Sequence, residues 1–263
     1  MDKIFSLFDK PSKPVYSLLI MFLVIISFVL WQFTTPSIIP KPVKILEELK
    51  WLIIHKSLIY ELISTTITCF KAIFYSSLIA LSLSYLGIVI SFFRPISFFV
   101  TKMRFWTLMG FSAIILFLTP DTNSFKTVML IFGITPFLVT GFNASLESIE
   151  NSWYHYAQTL KLSKLEIFWN VVIRKSAPEL LSVIRQNFAI AWIMIIAAEV
   201  AVRDQGGIGQ VLYDSSTRFI GPNGYARPFA VQLIILLMGI NIDYLLMLIR
   251  RKLFPYVYLK TDK

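Results

Sequence analysis

The residue most out of place in this chain is Glu199, a carboxylate set into the end of a long apolar run as Ala197-Ala198-Glu199-Val200. A carboxylate at membrane depth costs about 2.5–3.5 kcal/mol on insertion scales, so such residues face a bundle interior or a watery path. The other reading places Glu199 at an outer interface, capped by water or by Arg203 four residues on. Asp204 and the run Gly206-Gly207-Ile208-Gly209 follow. Those glycines lack the preceding strand and the Lys-Ser or Lys-Thr pair of a P-loop, and they read more simply as a turn that permits positive backbone angles. Other reactive chemistry is sparsely supplied. His55 and His155 are the only 2 histidines and stand far apart. Cys69, the 1 cysteine, lies in an apolar run, which excludes an intrachain disulfide and a cysteine metal cluster. No Walker A sequence is present.

A second polar stretch, 145–178, separates two apolar runs and mixes large apolar residues with charges at helical spacing. Two short amphipathic helices fit it, one over about 146–160 and one over about 164–176. Ser163 with Glu166 three residues later has the form of a capping box, in which the hydroxyl takes one free amide and the carboxylate returns to another. Trp153, Tyr156, Ala157 and Leu160 recur at steps of three and four and are expected to share a face. On composition alone, this pair is equally a structural element lying on the bilayer or on its own bundle.

These residues need a scaffold, and the composition defines it. With 263 residues, 56% hydrophobic and 15% charged, the chain carries more apolar surface than one soluble core can hide, so an integral membrane protein is expected. The expected fold is all-α, a single domain over 1–263 with about six membrane helices at 15–33, 64–92, 98–119, 125–143, 180–202 and 228–249. The first of these follows Lys3, Lys10 and Lys13 and is read as a retained helix, since no small-x-small cleavage pattern follows it. A short helix on the outer membrane surface is expected after Pro36, Pro40 and Pro42. A tight turn at PDTNS joins the third and fourth spans. Pro136 and Gly141 suggest a kink or a close helix contact in the fourth. The net charge of +10 is scattered over the span ends, which argues against nucleic acid and for topology. Placing the N-terminus inside puts sixteen lysines and arginines on the cytoplasmic side, Arg185 among them, against eight outside. That bias favours both termini and the 145–178 loop in the cytoplasm.

The order of residues from Tyr156 to Ser163, followed by Phe168, Val171, Val172, Ala177 and Pro178, resembles the "EAA" loop of ABC-importer membrane subunits. His155, Tyr156 and Lys161 stand where that loop usually has an acidic residue, alanine and glycine. A non-glycine residue in a left-handed turn costs roughly 1–2 kcal/mol, so either the turn is remodelled or the capping box offsets it. The run AAEV, a spacer and GGIG resembles a signature of the nitrate, sulfonate, taurine and bicarbonate type of permease. Thr68-Cys69-Phe70-Lys71 and Asp243 also fall near positions patterned in that family, although Lys71 equally suits a snorkelling role.

The resemblance implies a type I permease subunit in the cell membrane, with its core at 64–251 and a cytoplasmic coupling loop at 144–179. It further implies two ATPase subunits that carry ATP and magnesium, a second permease copy and an extracytoplasmic substrate-binding protein, with no cofactor on this chain. By the same resemblance Trp153, Tyr156, Ala157, Leu160, Lys161, Ser163 and Glu166 serve ATPase coupling, and Glu199, Gly206, Gly207 and Gly209 shape the translocation gate. The alternatives are a diverged scaffold or uncoupled permease homologue, and a membrane-embedded lipid-modifying enzyme.

Overall fold

Backbone polar groups have no water to bond in hydrocarbon, so a chain this apolar must satisfy them within its own segments. All regular structure among the described residues is accordingly helical. The computed structural model describes residues 13–34, 39–55, 57–119, 122–201, 206–217 and 224–258. Arg203 and Asp204 lie outside those residues, as do Pro36, Pro120 and Asp121 of the expected connections.

Helix α1 (Lys13–Thr34) is followed by α2 (Pro42–His55), which opens on proline, a residue whose missing N–H costs nothing at a first helical position. Next come α3 (Leu58–Val89), α4 (Phe93–Lys102) with a 3-10 turn at Met103–Phe105, α5 (Leu108–Leu118) and α6 (Thr122–Glu147). The polar stretch holds α7 (Asn151–Thr159) and α8 (Lys164–Ile167), then a π-helical turn at Phe168–Ile173 leads into α9 (Arg174–Ala201). Helix α10 (Ile208–Thr217), a 3-10 turn at Gly224–Ala226, α11 (Arg227–Leu253) and α12 (Pro255–Tyr258) complete the chain. Five helical stretches are long and apolar enough to cross a membrane, at Val15–Phe33, Leu58–Val89, Ser124–Glu147, Lys164–Ala201 and Gly224–Leu253.

Three expectations change. The span expected at 98–119 is broken, with Phe93–Phe105 and Gly110–Leu118 meeting at 116°. Lys102 and Arg104 interrupt the apolar run, and Trp106 and Thr107 take extended backbone angles between the two helices. The amphipathic helix expected at 164–176 and the span at 180–202 are one continuous 38-residue stretch. Pro178 lies inside it, and Arg250 Nε donates to the Pro178 carbonyl at 3.2 Å. That bond adds a donor from α11 at this level of α9, whereas the acceptor that proline frees is the Arg174 carbonyl four residues back. The helix expected at 146–160 is instead split at 148–150, because α6 carries the fourth span on to Glu147.

The core lies where α3, α6 and α9 meet. The buried side of α3 carries Thr65, Cys69, Ala72, Ser76, Ala80 and Ser84 at steps of three and four, all small. Small residues let helix backbones approach where lipid supplies no hydrophobic drive for association. Gly141 of α6 has the same use, since a Cβ there would lie 2.4 Å from Val183 Cγ1 of α9. Helix α2 docks on the start of α11, where Arg227 Nε donates to Glu48 Oε2 at 2.8 Å and the guanidinium lies over Trp51, 4.3 Å from its centroid.

Candidate functional site

The elbow between α7 and α8 is built from two interlocking caps. Lys161 has φ +53°, the left-handed conformation reserved for glycine at many helix ends. Its N–H donates to the Gln158 carbonyl at 2.9 Å, and the Leu162 N–H donates to the Ala157 carbonyl at 3.2 Å. This is the Schellman pair that satisfies the last free carbonyls of a helix. The turn is therefore not remodelled around lysine. Ser163 then caps α8: the Glu166 N–H donates to Ser163 Oγ at 3.3 Å, and the Ser163 N–H donates to Glu166 Oε2 at 2.7 Å.

The expected shared face of α7 divides in two. Tyr156 and Leu160 are 60% and 55% exposed, and Trp153 is 40% exposed, whereas Ala157 is buried at 1%. Ala157 faces the chain's own body, where α7 packs against the π-helical turn that buries Val171 and Val172. Lys175 Nζ lies 3.3 Å from the Trp153 ring centroid, a cation–π contact that ties α7 to the base of α9. Burial pushes the Tyr154 phenol above its usual range. His155, beside it, is exposed.

The opposite end of α9 carries Glu199, 35 residues beyond Lys164, or roughly 50 Å along a helix. Glu199 is 2% exposed. Thr65 Oγ1 lies 2.8 and 3.0 Å from the two Glu199 oxygens and donates to the carboxylate, while the Gly209 N–H donates to Oε2 at 2.9 Å. The Ile208 N–H returns a bond to Thr65 Oγ1 at 2.9 Å. Glu61 accepts from the Gly207 N–H, and Lys126 Nζ donates to the Gly206 carbonyl at 2.7 Å. Gly206 and Gly207 have φ +68° and +101°, and a Cβ on Gly207 would fall 2.2 Å from the Glu199 carboxylate. A Cβ on Gly209 would meet the Ile196 carbonyl at 2.5 Å. The glycines thus form a tight wrap around one buried carboxylate. Its partners are Thr65 and Gly209, while Arg203 lies outside the described residues.

A third polar contact crosses the bundle. Arg185 Nε and Nη2 donate to the two oxygens of Asp243 at 2.7 and 2.8 Å, joining α9 to α11. Arg185, counted with the cytoplasmic connections by sequence, is part of an interhelical pair.

The family of binding-protein-dependent transport system inner membrane components matches residues 11–255 of the chain. The chain belongs to this family. This inner membrane component is similar to the nitrate import permease protein NrtB of Synechococcus elongatus, 27% identical over 129 residues. The aligned stretch covers 49% of this chain and 45% of the relative, so the chain spans about half the length of the curated relative it matches. Its fold is similar to that of an amino acid ABC transporter crystallised with histidines, with a TM-score of 0.63 at 16% identity over 78% of this chain and 97% of the other. It is also similar to the inward-facing MetNI methionine ABC transporter, with a TM-score of 0.59 at 18% identity over 76% and 95% of the two chains.

Glu199, Gly206, Gly207 and Gly209 come together in this inner membrane component, and so do Lys161, Ser163 and Glu166. Sequence reading missed Glu61, Thr65 and Lys126 beside Glu199. Thr65 lies 134 positions from Glu199 and carries no charge to draw notice, while Lys126 reads as an ordinary span-end cation. A hydroxyl at the start of an apolar helix, facing a later carboxylate, is the signal that could have paired them.

Proposed function

We propose that the chain is the permease subunit of an ABC importer, and that the α7 elbow is the part an ATPase subunit grips. The observation that carries this reading is the rigid elbow itself. Two caps fix its shape, Tyr156 and Leu160 stand outward, and α8 continues without a break into a membrane-spanning helix. A push on Tyr156 and Leu160 is transmitted along a helix, where a flexible loop would absorb it.

In this reading the elbow is cytoplasmic, as the excess of lysines and arginines at that end favours even without Arg185. Two copies of the chain share the pathway, two ATPase subunits bind ATP and magnesium beneath them, and a binding protein delivers a solute from outside. Closure of the ATPases on ATP moves the elbows, and the pathway changes the side it faces. Tyr156, Leu160 and Trp153 make the contact. Ala157 seats α7 by letting it lie close to the π-helical turn. Glu199 with Gly206, Gly207 and Gly209 holds the outer end of α9 against α3 and α10.

Departures from the family pattern at His155, Tyr156 and Lys161 are the ground for an uncoupled homologue. Lys161 adopts the turn regardless, which removes the geometric part of that ground. The test is affinity purification of the tagged chain after co-expression with its ATPase subunit. The wild type should retain the ATPase in detergent, and Tyr156→Asp with Leu160→Asp should lose it while the chain still elutes as a folded species. Retention by both would remove the elbow from the coupling role.

A further inference from the structure

A cleft of about 1000 Å³ opens at the α7 end of the molecule, apart from the elbow's outward face and from Glu199. Helix α4 and the turn that follows it form one wall, and the segment from the end of α6 into α7 forms the other. Arg94, Lys102 and Arg104 line it together with a single carboxylate, Glu147, while Ser91, Thr101 and Asn143 add hydroxyl and amide groups. The three cations are exposed, and among the described residues none of them is ion-paired. Lys102 and Arg104 instead lie over the rings of Phe98 and Phe105, 4.9 and 5.0 Å from the centroids. Three cations lining one cleft with a single carboxylate leave it net positive, and an anion brought from outside relieves their repulsion.

The surroundings restrict what that anion is. Helix α4 has 10 residues, about half of what a span needs, and the chain turns by 116° before α5. Phe92, Phe99 and Trp106, near the cations in sequence but outside the lining of the cleft, are 73%, 64% and 53% exposed. A short helix that combines bulky aromatics with cations suits the headgroup layer, with its rings at the acyl boundary and its charges toward the phosphates. A soluble phosphate ester would satisfy the cations and leave the aromatic surface uncovered.

We propose that this cleft binds an anionic phospholipid, with its phosphate between Arg94, Lys102 and Arg104 and its acyl chains along Phe92, Phe99 and Trp106. Arginine offers the phosphate a planar fork and lysine a point charge, so the set selects a lipid whose phosphate charge is not cancelled by a cation in its own headgroup, as choline cancels it. The opposite wall leads into α7, so a lipid seated here braces the base of the elbow. The inference rests on the reading that this end faces the cytoplasm, the leaflet rich in anionic lipid.

Native mass spectrometry of the full chain released from detergent tests it, with dioleoyl phosphatidylglycerol, dioleoyl phosphatidylcholine and inorganic phosphate as probes. Phosphatidylglycerol should be retained over phosphatidylcholine by on the order of tenfold or more, as expected for several cations near a lipid phosphate. Arg94→Gln, Lys102→Gln and Arg104→Gln together should bring the two lipids to within about twofold. Arg94→Lys with Arg104→Lys should keep the preference, which separates lost charge from lost folding. Lys252→Gln, an exposed cation in the last turn of α11 and outside the cleft, should also keep it. Equal retention of the two lipids by the wild type, or a preference untouched by the triple change, overturns the proposal. Displacement of phosphatidylglycerol by equimolar inorganic phosphate reassigns the cleft to a soluble anion and equally overturns it. Capture of the ATPase by the same preparation reads the coupling proposal separately, since the lipid preference is scored on the permease alone.

Discussion

Lys161 does the work of a glycine at the elbow, and its cost is measurable. A left-handed non-glycine residue loses about 1–2 kcal/mol, while glycine carries its own entropic penalty of roughly 0.5–1 kcal/mol, so Lys161→Gly should stabilise the turn by about 0.5–1 kcal/mol. Hydrogen exchange checks this: the Lys161 and Leu162 amides, both bonded in the turn, should exchange about two- to fivefold more slowly after the change. Unchanged or faster exchange would mean that lysine is already relaxed there. At the other end, Gly207→Ala forces a Cβ onto the Glu199 carboxylate at a φ of +101°, and should destabilise the fold by more than about 2 kcal/mol. Gly206→Ala meets only the side-chain end of Glu61, at 2.9 Å, and should cost about half as much, so thermal unfolding midpoints should rank the two. Glu199 was legible because a carboxylate in an apolar run must have a reason. Thr65 was not legible, because a threonine in a membrane helix most often bonds its own helix, as Thr66 does to the Leu62 carbonyl at 2.7 Å.

At the scale of elements, apolar run length located five unbroken membrane helices and one bent pair, and said little about where they stop. Charges and turn residues mark ends only when they are left exposed. Ser148 to Glu150 breaks a helix that amphipathic spacing alone would carry through, while Pro178 lies inside one without ending it, at the loss of the bond to the Arg174 carbonyl four residues back. Nothing in the 98–119 run foretells a 116° bend except Lys102 and Arg104, which cannot be left in hydrocarbon unpaired. Helix packing was legible in part, since Gly141 suggested a close contact and does make one against Val183. Gly141→Val should therefore wedge α6 from α9 and cost about 1–3 kcal/mol as overpacking, and the paired change Val183→Ala should recover much of it. Failure of that second change to rescue the unfolding midpoint would place the strain elsewhere. The Glu48 and Arg227 pair gives α2 a different anchor, with both side chains largely out of solvent at 12% and 15% exposure. Glu48→Gln should release α2 at a cost of about 1–3 kcal/mol, seen as faster amide exchange in α2 with α11 unchanged.

Over the whole molecule, the elbow and the Glu199 wrap are held at opposite ends of one helical stretch, Lys164–Ala201. Helix α3, 32 residues long, is bonded to it through Thr65 at the Glu199 end and through Tyr85, whose hydroxyl lies 3.2 Å from Ser176 Oγ, near the elbow. Two such contacts hold the rods in register, so a displacement at α7 cannot be taken up by sliding of α9 against α3. Bending of α9 is the remaining escape, and its weakest place is around Pro178, which leaves the Arg174 carbonyl without its i+4 amide. Ala177→Gly with Glu179→Gly puts two flexible residues on either side of that point, at about 1 kcal/mol each in helix stability. If α9 acts as a strut, this variant should still retain the ATPase subunit, because the elbow is untouched. Spin labels on Tyr60 of α3 and Ser216 of α10, both exposed at the Glu199 end, should then show a nucleotide-dependent change in separation for the unmodified helix and little change for the softened one. An equal response in both would mean that the Glu199 end is driven through α3 or α6, with α9 merely carried along.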